Sequence, residues 1–90
     1  MLTISITVSG KVQGVYYRQS TKEMAASLGI TGHIKNLKDE SVYIIATGVK
    51  EQLDKLVAWC RQGPPKANVT GLIIQELSLQ SFDRFSIERF

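Results

Sequence analysis

The sequence predicts an α+β domain of the split βαβ, ferredoxin-like kind: βαββαβ plus a short C-terminal strand, with two helices packed on one face of an antiparallel sheet. Three observations carry this expectation. Residues 2–9 alternate strictly between apolar and hydroxylated side chains, the period of a half-buried strand. Two later segments space their apolar residues as helices do, and each is followed by a glycine. Between and after them lie short runs rich in β-branched and aromatic residues.

In chain order, Leu2, Ile4, Ile6 and Val8 place one face of the first strand in a core, and the strand is expected to end at Gly10. A first helix is expected from about Tyr17 to Leu28, its buried stripe formed by Thr21, Met24, Ala25 and Leu28 and its exit by Gly29. Its start has two readings. Ser20 and Glu23 have capping-box spacing, yet Tyr17 and Arg18 also fit a first turn. His33 to Leu37 and Val42 to Thr47, separated by Lys38, Asp39, Glu40 and Ser41, read as a hairpin. Val49, Leu53, Leu56, Val57 and Cys60 follow at helical spacing and stop at Gly63, beyond which Pro64 and Pro65 forbid continuation. Val69 to Leu77 gives the fourth strand, and the Phe85, Ile87 alternation a fifth.

Composition narrows the function. Ninety residues are expected to form a single domain, 1–90, around one core. The longest apolar runs are five residues, Val42 to Ala46 and Leu56 to Cys60, against about 18 for a membrane span. With no secretory signal in view, the expected compartment is the cytoplasm and no membrane partner is expected. One cysteine and one histidine are too few for a zinc cluster, so neither metal nor other cofactor is expected. The net charge of +3 is unevenly placed. Residues 1–38 hold five basic groups and one acidic, a local +4, whereas six basic and seven acidic groups follow. That excess suits a small anion better than a duplex, because it is scattered rather than drawn into a stripe.

The informative segment runs from Ser9 to Arg18. Gly10 and Gly14 permit backbone conformations closed to other residues, successive N–H groups can then converge on a point, and a helix N-terminus follows with its unsatisfied donors. Arg18 stands at that junction, where a guanidinium can grip two oxygens of one anion. Neither Walker A nor dinucleotide spacing is present.

Gly10, Val12, Gln13, Gly14, Val15, Tyr17 and Arg18 together match Gly-x-Val-Gln-Gly-Val-x-Phe/Tyr-Arg, a signature of the acylphosphatases, which the sequence resembles. Gly32, His33, Ile34, Lys35, Asn36 and Asp39 resemble the second signature of that family, with His33 where an aromatic is usual and Glu40 where a glycine is. The likeness extends through Gly63, Pro64, Pro65, Ala67 and Val69 to the Phe85, Ile87 ending. It implies a metal-free hydrolase of acylphosphates. Gln13, Gly14, Val15, Tyr16, Tyr17 and Arg18 would hold the phosphate, Arg18 would be its main ligand, and Asn36 would orient the attacking water. The partners implied are a small acylphosphate and inorganic phosphate, with no nucleic acid, and a monomer is expected.

Other residues have plainer readings. His33 and Asn36 fall on opposite faces of their strand, so His33 is expected to pack rather than catalyse. Glu40 is expected to force another turn type, since glycine's positive φ would strain it. Tyr16, Tyr17 and Trp59 read as core or rim, Lys11, Lys35 and Lys38 as solvated charges, and Cys60 as buried and inert. Two other functions stay open: a non-catalytic phosphate-binding or regulatory domain of this fold, and a small RNA-binding module, which the pI of about 9.2 permits.

Overall fold

A computed structural model describes residues 1–89. In chain order the elements are β1 (Leu2–Lys11), α1 (Tyr17–Ser27), β2 (Thr31–Asn36), β3 (Val42–Gly48), α2 (Lys50–Gln62), β4 (Asn68–Leu77) and β5 (Phe85–Ile87). The five strands form one sheet in the order β4-β1-β3-β2-β5. β1 is interior because both its sides are taken by antiparallel partners, β3 with Ile6 opposite Ile44 and β4 with Ile6 opposite Ile74. The sheet is mixed rather than purely antiparallel, because β5 joins β2 in parallel, Ile34 opposite Ile87.

Register decides which side chains are buried. Ile4, Ile6 and Val8 line up with Ala46, Ile44 and Val42, and Ile44 in turn with Ile34. This face meets Ala25 of α1 and Leu53, Leu56 and Cys60 of α2 in one buried cluster. Tyr17 joins the two helices: its hydroxyl donates to the Cys60 carbonyl at 2.7 Å, and its ring lies 5.6 Å from that of Trp59. Burial pushes the Cys60 thiol up to about 12, so it is inert at neutral pH.

The other face is partly roofed by residues 78–84, which run from β4 at one edge to β5 at the other. Thr3 and Thr47, both buried, hydrogen-bond each other at 2.6 Å; Thr47 also donates to the Gln80 carbonyl at 2.9 Å, and the Gln80 N–H donates to Thr3 Oγ1 at 2.8 Å. These bonds satisfy the two hydroxyls inside the sheet face.

Three local expectations change. Ser20 lies inside α1, and Glu23 accepts a bond from Gln19 at 3.1 Å, so there is no capping box. Val49 is the exposed N-cap of α2 rather than part of its buried stripe. Glu40 does not change the turn: it adopts a φ of 73° itself, its N–H donating to the Leu37 carbonyl at 3.2 Å.

Candidate active site

β1 delivers the chain to the site through an irregularity. Its pairing with β4 shifts between Ser9 and Gly10, where Gly10 has a φ of 119° and a Cβ would collide with the Asn68 carbonyl. The loop beyond is fastened from inside by Val12 and Val15, both buried. Gly14 at φ 73° and Tyr16 at φ 64° then turn the backbone into α1. A non-glycine residue in this left-handed region costs about 1–2 kcal/mol, and such strain gathers at ligand clamps.

No side chain caps α1. The N–H of Ser20 reaches the Tyr16 carbonyl at 3.0 Å, which leaves the amides ahead of it as the unsatisfied donors of a helix start. They border a cleft of about 430 Å³. Its walls come from four places: Val12, Gln13, Gly14 and Tyr16 of the loop; Tyr17, Arg18 and Gln19 of α1; Asn36 at the end of β2; and Ile87 with Arg89. Two arginines and no carboxylate side chain among the described walls give them a positive sign, and the open helix N-terminus adds to it.

Within this cleft Arg18 is half-buried, and its Nη1 donates to the Glu88 carbonyl at 3.3 Å. Asn36 carries a buried Oδ1 that makes no hydrogen bond with any described residue. Leaving such an atom unpaired costs about 1–3 kcal/mol. A half-turn of the terminal amide exchanges this oxygen with its nitrogen, so the group can offer either to the cleft. Tyr17 keeps its hydroxyl on Cys60, and desolvation there raises its pKa above the usual phenol range, so it has no acid–base part at neutral pH.

The structure thus brings Gln13, Gly14, Tyr16, Tyr17, Arg18 and Asn36 to one cleft. Val15 turns its side chain into the core instead, so any contact from it to an anion is through its backbone. His33 is on the opposite face from Asn36 and packs edge-on against Phe82, ring centres 5.6 Å apart. Gln19, Ile87 and Arg89 were not legible as site residues. Arg89 arrives only because β5 adds to the β2 edge, and no local sequence pattern links position 89 to the loop at 13–18.

A family model described as Acylphosphatase matches residues 4–87. The chain belongs to the acylphosphatase family. It is 44% identical over 90 residues to an acylphosphatase of Methylococcus capsulatus, covering 99% of this chain and 98% of that one. To an acylphosphatase of Acaryochloris marina it is 45% identical over 89 residues, covering 99% and 96%. The crystal structure of acylphosphatase from Bacillus subtilis superposes with a TM-score of 0.96 at 36% identity, over 99% of this chain and all of that one.

Proposed function

We propose that this acylphosphatase-family hydrolase cleaves acylphosphates by gripping the phosphoryl group in the loop from Gln13 to Arg18 and directing water at phosphorus with Asn36. Hydrolysis of an acylphosphate is the activity its family membership implies. The assignment of roles rests on one observation above the others: among the described residues the cleft walls hold two arginines, an amide with a buried unpartnered oxygen and a row of open helix-start amides, but no serine, cysteine, histidine, lysine or carboxylate side chain. Such walls bind an anion and place a neutral nucleophile; of their two tyrosines, Tyr17 keeps its hydroxyl on the Cys60 carbonyl, and neither has an activating base beside it among the described walls.

The chemistry tolerates that arrangement. In an acylphosphate the leaving group is a carboxylate, so its departure needs no strong acid. Water oxygen forms the new P–O bond as the bond to the carboxylate breaks; the electron pair leaves with the carboxylate, and the proton of water passes to a phosphate oxygen. The protein's share is alignment and stabilisation of the oxygens at phosphorus. Arg18 meets those oxygens with a planar fork, and the backbone donors of the loop complete the cradle. Asn36 accepts from the water without placing a negative charge beside the anion.

The same proposal covers the remaining expectations: a single domain, inorganic phosphate as product, a cytoplasmic setting and a monomeric working unit. No helix among the described residues is long and apolar enough to cross a membrane. Against RNA binding stands the other sheet face, where the Gln80 segment covers Thr3 and Thr47 and the central strands offer Tyr43 alone as a stacking surface. Phosphate release should be measured on a panel of acylphosphates, phosphate monoesters and nucleoside triphosphates, with and without exhaustive chelation. Turnover restricted to acylphosphates and unaffected by chelator is the expected result. Phosphate binding without any turnover would leave the non-catalytic regulatory reading.

A further inference from the structure

Arg18 is held by a residue that itself reaches through the sheet. Glu88, the first residue beyond β5, donates its N–H to the Ile34 carbonyl at 2.9 Å and accepts from Arg18 Nη1 on its own carbonyl. Its side chain goes to the opposite face of the sheet, where Oε1 lies 3.1 Å from His33 Nδ1. That ring nitrogen is buried and makes no aligned hydrogen bond with a described residue; the Glu88 carboxylate stands beside it as an ion-pair neighbour. The histidine is set by its edge contact with Phe82, and its side chain is only 18% exposed. One short segment therefore meets the cleft with its backbone and His33 with its side chain.

We propose that His33 and Glu88 are positioning residues for the phosphate-gripping Arg18: the contact between them fixes the turn of chain after β5, and with it the carbonyl that aims the guanidinium. This rests on the proposed function, in which Arg18 grips the phosphate. The main-chain bond to Ile34 alone secures the Glu88 amide but leaves the peptide beyond it free to rotate. The carbonyl that Arg18 uses belongs to that next peptide unit; with the amide tied to Ile34, the side-chain contact on the far face supplies the second point that fixes the Glu88 Cα, and so the place from which that carbonyl is presented to Arg18. A planar guanidinium tolerates little misalignment when it must bond two oxygens at once, so a small rotation of this carbonyl is felt in phosphate affinity. His33 thereby has a role although it faces away from the cleft and touches no reacting atom.

The experiment uses the intact protein and measures phosphate affinity by calorimetry, KM and kcat on acetyl phosphate, and melting temperature. His33→Phe preserves the ring contact with Phe82 and removes only the reach to Glu88; Glu88→Ala removes the other partner. Each is expected to weaken phosphate binding and raise KM by threefold or more, with kcat less affected. The double variant is expected to be no worse than either single one, because both break one contact. Glu88→Gln, which keeps an acceptor oxygen at the same reach, is expected to recover most of the affinity. Should either single variant fold poorly, His33→Gln paired with Glu88→Gln tests the same contact with less change of volume. Phosphate affinity and KM equal to wild type in the folded variants, whatever their melting temperatures, would overturn the proposal, as would additive effects. Absence of acetyl phosphate turnover in the wild type would instead overturn the function on which it rests.

Discussion

Gln13 reaches beyond the end of β1 to Ser41: its Nε2 donates to the Ser41 carbonyl at 2.9 Å and also to the Leu37 carbonyl at 2.9 Å. Both carbonyls belong to the turn that follows Asn36. The side chain of Gln13 therefore ties the anion loop to the strand end carrying the proposed water-orienting residue, and its contribution to the phosphate is left to its backbone.

Both carbonyls keep another donor when Gln13 is removed, since Leu37 N–H bonds Ser41 at 2.9 Å and Glu40 N–H bonds Leu37. Gln13→Ala should therefore lower stability by only about 1 kcal/mol. Gln13→Glu should do more harm at neutral pH, because it sets a carboxylate against two carbonyl oxygens with no donor between them. Its folded-state pKa would be raised, so the variant should regain stability as the pH falls and that carboxyl takes up a proton. Melting temperatures of the two variants at pH 7 and pH 4 check the order. A Glu variant as stable as wild type at pH 7 would contradict the tie.

Asp39 is held below the usual carboxylate range by the Ser41 hydroxyl and then by the Ser41 N–H at 3.0 Å, both donating to its Oδ1. A depressed folded-state pKa means a stabilisation present above the unfolded value of about 4 and lost as the pH falls through the folded one. Asp39→Asn should accordingly flatten the acid side of the stability profile below about pH 4 and leave kcat alone, since the side chain is exposed and outside the cleft walls. Identical acid limbs for the two proteins in a melting series would exclude the effect.

How far the fold and site were legible can be judged residue by residue. The alternation of β1 and the stripe of Leu53, Leu56 and Cys60 report burial directly, because solvation acts on each side chain where it stands. Gly10, Gly14 and Arg18 were legible for a similar reason: backbone freedom and a fixed cation are properties of single residues. What depends on meeting a distant segment was not legible. The parallel pairing of β5, the arrival of Arg89 in the cleft and the contact of Glu88 with His33 follow from the path of residues 78–84. Glu40 failed differently. Local sterics were overruled, because one left-handed residue costs only about 1–2 kcal/mol and the Asp39–Ser41 bonds support the same turn.

Arg18→Lys should lose nearly as much as Arg18→Ala. A lysine gives the phosphate a point charge in place of a planar fork, and it lacks the Nη1 that bonds the Glu88 carbonyl. Charge-assisted hydrogen bonds are worth about 1.5–3 kcal/mol each, so kcat/KM should fall at least tenfold in both variants while the fold persists. Steady-state kinetics beside circular dichroism decide the matter. A lysine variant retaining most of the wild-type kcat/KM would reduce the role of Arg18 to its charge.

Asn36→Ala separates stability from activity. The substitution removes a buried oxygen that has no partner among the described residues, so the melting temperature should hold steady or rise, unlike the usual loss on cutting back a side chain at the edge of a core. Turnover should fall by about two orders of magnitude, the range found when one positioned polar group is taken from a transition state. Phosphate affinity should scarcely change, because the loop and Arg18 carry ground-state binding and the water is needed only for attack. Asn36→Asp sharpens the test by nearly preserving shape while setting a carboxylate close to an anionic phosphate. If that carboxylate served as a stronger base, kcat would rise; charge repulsion predicts that both affinity and rate fall, and this is the outcome expected from a cleft whose other charges are arginines. A folded Asn36→Ala protein that turns over acetyl phosphate at the wild-type rate would mean that the water is placed by another group, and the open amides at the start of α1 would be the next donors to examine.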